Sequence, residues 1–401
     1  MLLLPFLLAA LPLGALSLER GEHLRHGATC TVRASGRDDA PALVRALRTC
    51  ATVTIPRGAT LSIRSPMNTT NLEDTHISLQ GTIKYFDDLA FWGVHAFPFD
   101  FQNASTFWML GGKNILLNGG GTIDGSGQAW WEAFRTNATL VRPLPLTLFK
   151  ANGAAVTNIK MIQSPMWFNL VHTSKNVLFS DITISSKSNS STTPKNTDGW
   201  DLYRSENVVI QNSNIVNNDD CVSFKPNVTN ILVRNLTCDG SHGISVGSLG
   251  QYPQFFDIAE NIRVQDVRIA NAQNGARIKV WAGPNVGSGR VNQIVYENVV
   301  VENVDHPLIF DQCYMTSAAL CAQVPSRVGL TNIFIRNITG TSSGTQKSVV
   351  ADLECSPGAV CSDITVDDLS IVPPAQFMPG TTICKNLQIG GNAAAQFNCT
   401  S

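Results

Sequence analysis

The sequence predicts an all-β chain wound as a single-stranded parallel β-helix. The first observation is a repeat: from about residue 110 one phrase recurs, an Asn, a run alternating β-branched with polar residues, then Asn or Asp and a second short apolar run. It starts at Asn114, Asn158, Asn176, Asn207, Asn230, Asn261 and Asn332. Runs this short with a period of two are strands, not helices. The second is spacing: from Asn158 to Asn261 the starts are separated by 18, 31, 23 and 31 positions, one solenoid coil with loops of variable length. The third is composition, with only 15% charged residues and an abundance of Asn, Ser, Thr and Gly. That excludes a long coiled coil and highly charged disorder. Coils stacking about 4.8 Å apart would let Asn side chains at matching corners hydrogen-bond in a ladder.

Along the chain, the apolar run Met1 to Leu18, with small residues Ala15 and Ser17, reads as a signal peptide over residues 1–17, leaving 18–401 as one secreted domain. No later segment is apolar for long enough to span a bilayer. Next, Asp38-Asp39-Ala40-Pro41 offers N-cap chemistry ahead of Ala42, Leu43, Val44, Ala46 and Leu47, so a short amphipathic helix is expected to cap the N-terminal end of the stack. The ten cysteines fall into neighbours: Cys30 and Cys50, Cys221 and Cys238, Cys313 and Cys321, Cys355 and Cys361, Cys384 and Cys399. Local disulfides are the simplest reading, and no C-x-x-C spacing suggests zinc. Eight sequons, at Asn68, Asn103, Asn137, Asn189, Asn227, Asn235, Asn337 and Asn398, suit a glycosylated surface. With 29 Lys and Arg against 30 Asp and Glu there is no electrostatic case for nucleic acid or a membrane surface as partner. A capped solenoid is most simply a monomer.

The repeat register also says which polar residues share a face. Asp219 lies 12 after Asn207 and His242 lies 12 after Asn230, so the two should stack on consecutive coils. The coil before offers Asp198, and the coil after offers Arg277-Ile278-Lys279, whose cations point outward together while Ile278 packs inward. Four coils span roughly 14 Å, three rises of about 4.8 Å, enough for two or three sugar rings. Asp219 and Asp220 would face opposite ways on a regular strand; a bend or bulge would bring both into the groove. Three carboxylates this close cannot all ionise freely, so one should keep a proton as general acid. Proton donation plus carboxylate activation of water is glycoside hydrolysis, and a separation that leaves room for the water predicts inversion. The two cations suit an acidic sugar. Read singly, these residues also fit a turn, a solvated strand face or a calcium loop.

Taken together, Asn196-Thr197-Asp198, Asn218-Asp219-Asp220-Cys221, Ser241-His242-Gly243 and Arg277-Ile278-Lys279 resemble the polygalacturonase branch of the glycoside hydrolase family 28 pectinases. The stretches Gly243 to Tyr252 and Ala276 to Gly283 resemble the secreted fungal exopolygalacturonases in particular. The likeness runs from about Thr29 to the C-terminus. It implies a right-handed, pectin-lyase-like β-helix that cleaves α-1,4 bonds of polygalacturonate in pectin with inversion and without metal or other cofactor. Asp219 would be the general acid, Asp198 and Asp220 the pair acting on water, and His242 the residue that tunes the acid. Arg277, Lys279, Tyr314 and Asn196 would bind substrate. Ser241 stands where endo-acting relatives usually have Gly, which favours exo action from the non-reducing end. The segments Ser185 to Lys195 and Gln251 to Asp257 are then candidate blockers of one end of the groove. The alternatives are an endopolygalacturonase, a xylogalacturonan or rhamnogalacturonan hydrolase, a calcium-dependent pectate lyase, and a non-catalytic polysaccharide-binding β-helix.

Overall fold

The computed structural model describes residues 27–400; the expected signal peptide, residues 1–17, lies outside the described residues. The chain winds into a parallel β-helix whose main sheet pairs each strand with its counterpart one coil later. One run of long strands comprises Lys175–Ser185, Glu206–Val216, Val228–Asp239, Phe256–Ala270, Ser288–Val304 and Arg327–Ser342. A second run, which forms the functional face, comprises Asn169–His172, Trp200–Tyr203, Val222–Phe224, Ile244–Leu249, Asn274–Trp281, His306–Tyr314 and Val349–Glu354.

Inside the coil, like stacks on like. Val177, Val208, Ile231, Ile262, Ile294, Ile333 and Ile364 are successive register partners. All are buried, which is why the apolar positions of the repeat are β-branched: they pack well on a pleated surface.

The Asn residues mark corners. Asn176, Asn207, Asn230, Asn261 and Asn332 all have φ near +55°, the left-handed region that Asn tolerates better than other side-chain-bearing residues. Their side chains also form the expected ladder: the Nδ2 groups of Asn176, Asn207, Asn230 and Asn261 donate to Oδ1 of Asn152, Asn176, Asn207 and Asn230 at 2.6–3.2 Å. Where the corner itself is Gly153 or Gln293, the preceding Asn152 or Asn292 supplies the amide. One detail differs from expectation. Asn158 belongs to a second left-handed corner, with Asp181, Asn212, Asn235 and Asp266, because Thr157 and Ile159 pair with Ser180 and Ile182. The interval of 18 therefore joins two different corners, and the interval between equivalent corners is Gly153 to Asn176.

The cap is α1 (Ala40–Thr49), with Pro41 in its first turn. It buries Ala40, Leu43, Ala46 and Leu47 against the first coils, and each buried Leu contributes about 1.5–3 kcal/mol. Asp39 is the N-cap residue but its side chain makes no capping bond. Its carboxylate instead accepts from Ser35 N and Ser62 N, and that of Asp38 accepts from Ala40 N, Arg64 N and Ser65 Oγ. The two acids thus fasten the cap to the first coil.

All five neighbouring cysteine pairs are bridged as expected. Seven of the sequon asparagines are exposed and Asn227 is half-buried. Replacing Asn207 with Val should cost two ladder bonds and a left-handed β-branched residue, about 2–4 kcal/mol together. Asn207→Gly should lose only the bonds. Guanidinium unfolding of the two variants checks this, and equal losses would contradict the corner argument.

Candidate active site

The trio of acids is assembled at the starts of two adjacent coils. Asp198 sits two residues before Trp200, which pairs with Val222, so Asp198 lies level with Asp220. The chain bends at Asn218 and Asp219, as expected, so that Asp219 and the buried Asp220 both bring a carboxylate oxygen beside Asp198. Asn217 holds the bend: its Nδ2 donates to the carbonyls of Thr197, Asp219 and Asp220 at 2.9–3.0 Å. Asn218 N donates to Thr197 Oγ1, locking the two coils together. One carboxylate oxygen from each of Asp198, Asp219 and Asp220 lies within 4.8 Å of the others.

His242 stacks on Asp219, its N–H donating to the Asp219 carbonyl at 2.8 Å and its Nδ1 lying 3.2 Å from Asp219 Oδ1. The following residue has φ +84° and is Gly243; a Cβ there would lie 2.3 Å from the carbonyl oxygens of Asn274 and Gly275. Only glycine lets the backbone pass, which accounts for the Ser-His-Gly order.

The cations come from later coils. Lys279 is nearly buried and its Nζ lies 2.7 Å from Asp220 Oδ2, while Ser245 Oγ donates to Asp220 Oδ1 at 2.7 Å. Ile278 is buried in the core and Arg277 is half-exposed, as the alternation requires. No carboxylate among the described residues lies within ion-pair distance of Arg277. Tyr314 joins them: its ring lies 5.4 Å from the Arg277 guanidinium and 5.9 Å from Lys279 Nζ, and it is braced edge-on by Trp281. Asn196 is engaged on both sides, accepting from Arg142 at 2.7 Å and donating to Asp219 Oδ2 at 3.4 Å. Its side-chain oxygen and nitrogen thus link Arg142 to Asp219.

Four residues of the site are absent from the motif reading. Lys225 is buried, 3.0 Å from Asp201 and 4.0 Å from Asp198. Asp201 lies in register with Ser223, Ser245 and Arg277, so the period-two argument used for Arg277 would have found it. Asn217 begins the Asn-Asn-Asp-Asp run. Arg142 comes from a distant loop and stacks on Phe134, a contact with no local signal.

Burial, reinforced by Asp201 and Asp219, pushes the Asp198 carboxyl well above the usual aspartate range. Burial likewise lifts Asp201 to about 7 although Lys225 opposes it. For Asp219 burial pulls upward, but the His242 hydrogen bond and charge, with Lys279, win and hold it at about 2. His242 is raised in turn: burial lowers it, and Asp219 more than compensates. Burial brings Arg142 down to about 10, so it stays charged at neutral pH. The three acids offer oxygens close enough for a cation, yet each already faces a basic side chain: Lys225, His242 and Lys279. Their separation is shorter than the roughly 6.5–9.5 Å usual for inverting glycosidases. The spacing therefore does not carry the expected inversion.

Comparison with known proteins decides the family. Residues 47–396 match the family described as Glycosyl hydrolases family 28. The chain belongs to this family. A family relative named exopolygalacturonase, from Cochliobolus carbonum, is 43% identical over 390 residues, covering 93% of this chain and 86% of that protein. A probable exopolygalacturonase X from Aspergillus terreus is 41% identical over 391 residues, covering 93% and 88%. Among solved structures, the endo-xylogalacturonan hydrolase from Aspergillus tubingensis is 30% identical with a TM-score of 0.84, covering 93% of this chain and 99% of that one. This family 28 hydrolase thus has the fold and the acid-rich groove read from its repeat.

The Asp219–His242 pair has a defined pH window. Asp219 is depressed to about 2, so its share of stability is full above the ordinary aspartate range and is lost as pH falls toward 2. His242 is raised, so its share is full below its ordinary value and is lost as pH rises through the raised one. The pair is partly open to water and should contribute about 1 kcal/mol or less. His242→Gln should therefore lower thermal stability most at about pH 4–6, with the gap closing on either side. A gap that does not change with pH would contradict the ion pair.

Proposed function

We propose that this chain is a secreted exo-acting polygalacturonase that hydrolyses α-1,4-galacturonosyl bonds from the non-reducing end and releases galacturonate. The observation that carries hydrolysis is the Asp198–Asp219–Asp220 cluster, with Arg277 and Lys279 two coils beyond Asp219 and Asp220 and Tyr314 one coil further. A free guanidinium beside an ammonium and an aromatic face suits the carboxylate and ring of a uronate. The names of the relatives that are 41–43% identical support exo action. Five disulfides fit an oxidising compartment, and secretion is checked by finding Leu18 at the N-terminus of exported protein.

In this reading Asp219 protonates the leaving oxygen as the bond to C1 breaks. A water attacks C1, and its proton passes to Asp198 or Asp220. Asp220 is a poor covalent nucleophile because both its oxygens are held, by Lys279 and Ser245. That favours attack by water, hence inversion. The resting proton preference runs the other way, with Asp198 raised and Asp219 low. A uronate carboxylate arriving at Arg277 and Lys279 offsets the positive charge that holds Asp219 down, so substrate itself moves a proton toward the acid.

The test is a product time course on polygalacturonate with EDTA present. Galacturonate should appear from the start while viscosity falls slowly, with the β-anomer first by NMR. Asp219→Asn and Asp198→Asn should each lower kcat by about 10²–10⁴-fold with the fold retained. Mixed oligomers with fast thinning would make the enzyme endo-acting, α-anomer would overturn inversion, and an unsaturated product would make it a lyase.

A further inference from the structure

The geometry points to a wall that closes the groove on the early-coil side of the acids and confines cleavage to a chain end: the loop Phe97–Thr106, clasped to Gln251 on the opposite rim. This rests on the galacturonan-hydrolase reading above and assigns its exo action to particular residues. The loop leaves the solenoid after strand Thr82–Tyr85 and α2 (Leu89–His95). Its base is a small sheet, with Phe97–Pro98 antiparallel to Ser105–Thr106, and the latter parallel to Pro143–Leu144. Its tip is a tight turn in which Ala104 N donates to Phe101 O at 3.0 Å, with Gln102 and Asn103 both left-handed at φ +50° and +51°.

The tip lies across the functional face. Phe149, His172 and Tyr203 are register partners on three consecutive coils and share the outward side of their strands. Phe99 sits 5.7 Å from the Phe149 ring and 5.2 Å from His172. Phe101 stacks on Tyr203 with ring centres 3.9 Å apart and is only 4% exposed. Gln102 Nε2 then donates to Gln251 Oε1 at 3.0 Å. Gln251 opens the loop between strands Ile244–Leu249 and Phe256–Ala270, and its neighbour Tyr252 packs on the same apolar cluster as Phe101. The loop thus runs from rim to rim. It covers the coil of Asp198 itself, since Tyr203 follows Asp198 by five residues. The wall thus stands one coil rise, about 4.8 Å, before the coil of Asp219 and Asp220. Arg277, Lys279 and Tyr314 lie on the other side of the acids. The other expected blocker, Ser185 to Lys195, is tied down instead: Ser188, Ser190 and Thr192 bond to Gln128 and Glu132 of α3 (Gln128–Thr136).

Reducing-end-labelled hexagalacturonate tests the wall. The wild-type enzyme should release unlabelled monomer first. Gln102→Ala/Gln251→Ala, which touches no core residue, should release dimers and trimers from the earliest samples, as should Phe101→Ala. Gln102→Glu/Gln251→Lys, which restores the clasp as an ion pair, should return to monomer only. Variants that still release only monomer, at an undiminished rate of bond cleavage, would overturn the wall while leaving the exo reading intact. Mixed oligomers from the wild-type enzyme would overturn both.

Discussion

The structure depends on one constraint, the parallel register carried from coil to coil. In a parallel stack a one-residue slip turns every side chain to the opposite face. The left-handed Asn corners prevent this. Each fixes where a strand bends, and each amide bonds to its equivalent one coil away. The aliphatic stack from Val177 to Ile364 and the groove-side series Asp201, Ser223, Ser245, Arg277 are two readings of the same register. A site geometry assembled from residues nearly sixty positions apart, such as Asp220 and Lys279, therefore rests on the hydrogen-bond ladder beneath it.

Upon that frame the site concentrates charge that the interior could not otherwise hold. Asp198, Asp201 and Asp220 are nearly or wholly buried, and an isolated buried carboxylate is very costly. Lys225 and Lys279 offset the cost, and the raised Asp198 and Asp201 show that the balance is incomplete. An incompletely balanced cluster is one whose protons shift when another charge arrives. A polyanionic substrate brings such a charge, and it does so only where Arg277 leaves a guanidinium unpaired.

What was legible in the sequence was whatever the repeat makes periodic. Strand alternation exposed Arg277 and Lys279 and buried Ile278, coil spacing stacked Asp219 on His242, and short separations paired the cysteines. The misplacement of Asn158 has a physical cause: two corners use the same left-handed conformation and so the same residue type, and spacing alone cannot separate them. Asp38 and Asp39 flank the start of the helix as N-cap chemistry suggests, but their bonds to Ser62, Arg64 and Ser65 come from more than twenty residues away and leave no local signal. Arg142 and the Phe97–Thr106 loop were hidden for the same reason. Their partners, Asn196 and Gln251, are set by how non-repeating loops fold back, which periodicity does not encode.

The division between coil and loop also separates chemistry from specificity. The acids, the histidine and the cations are held at or beside strands, where register leaves them little freedom. The wall is built from loop residues whose anchors are an aromatic stack and a single amide–amide hydrogen bond. Changing that loop alters how far a polymer can thread past the acids without altering the distances among them. Exo and endo action then require no change in the reacting groups, only in whether a crossing between the two rims is present on the coil before Asp219 and Asp220.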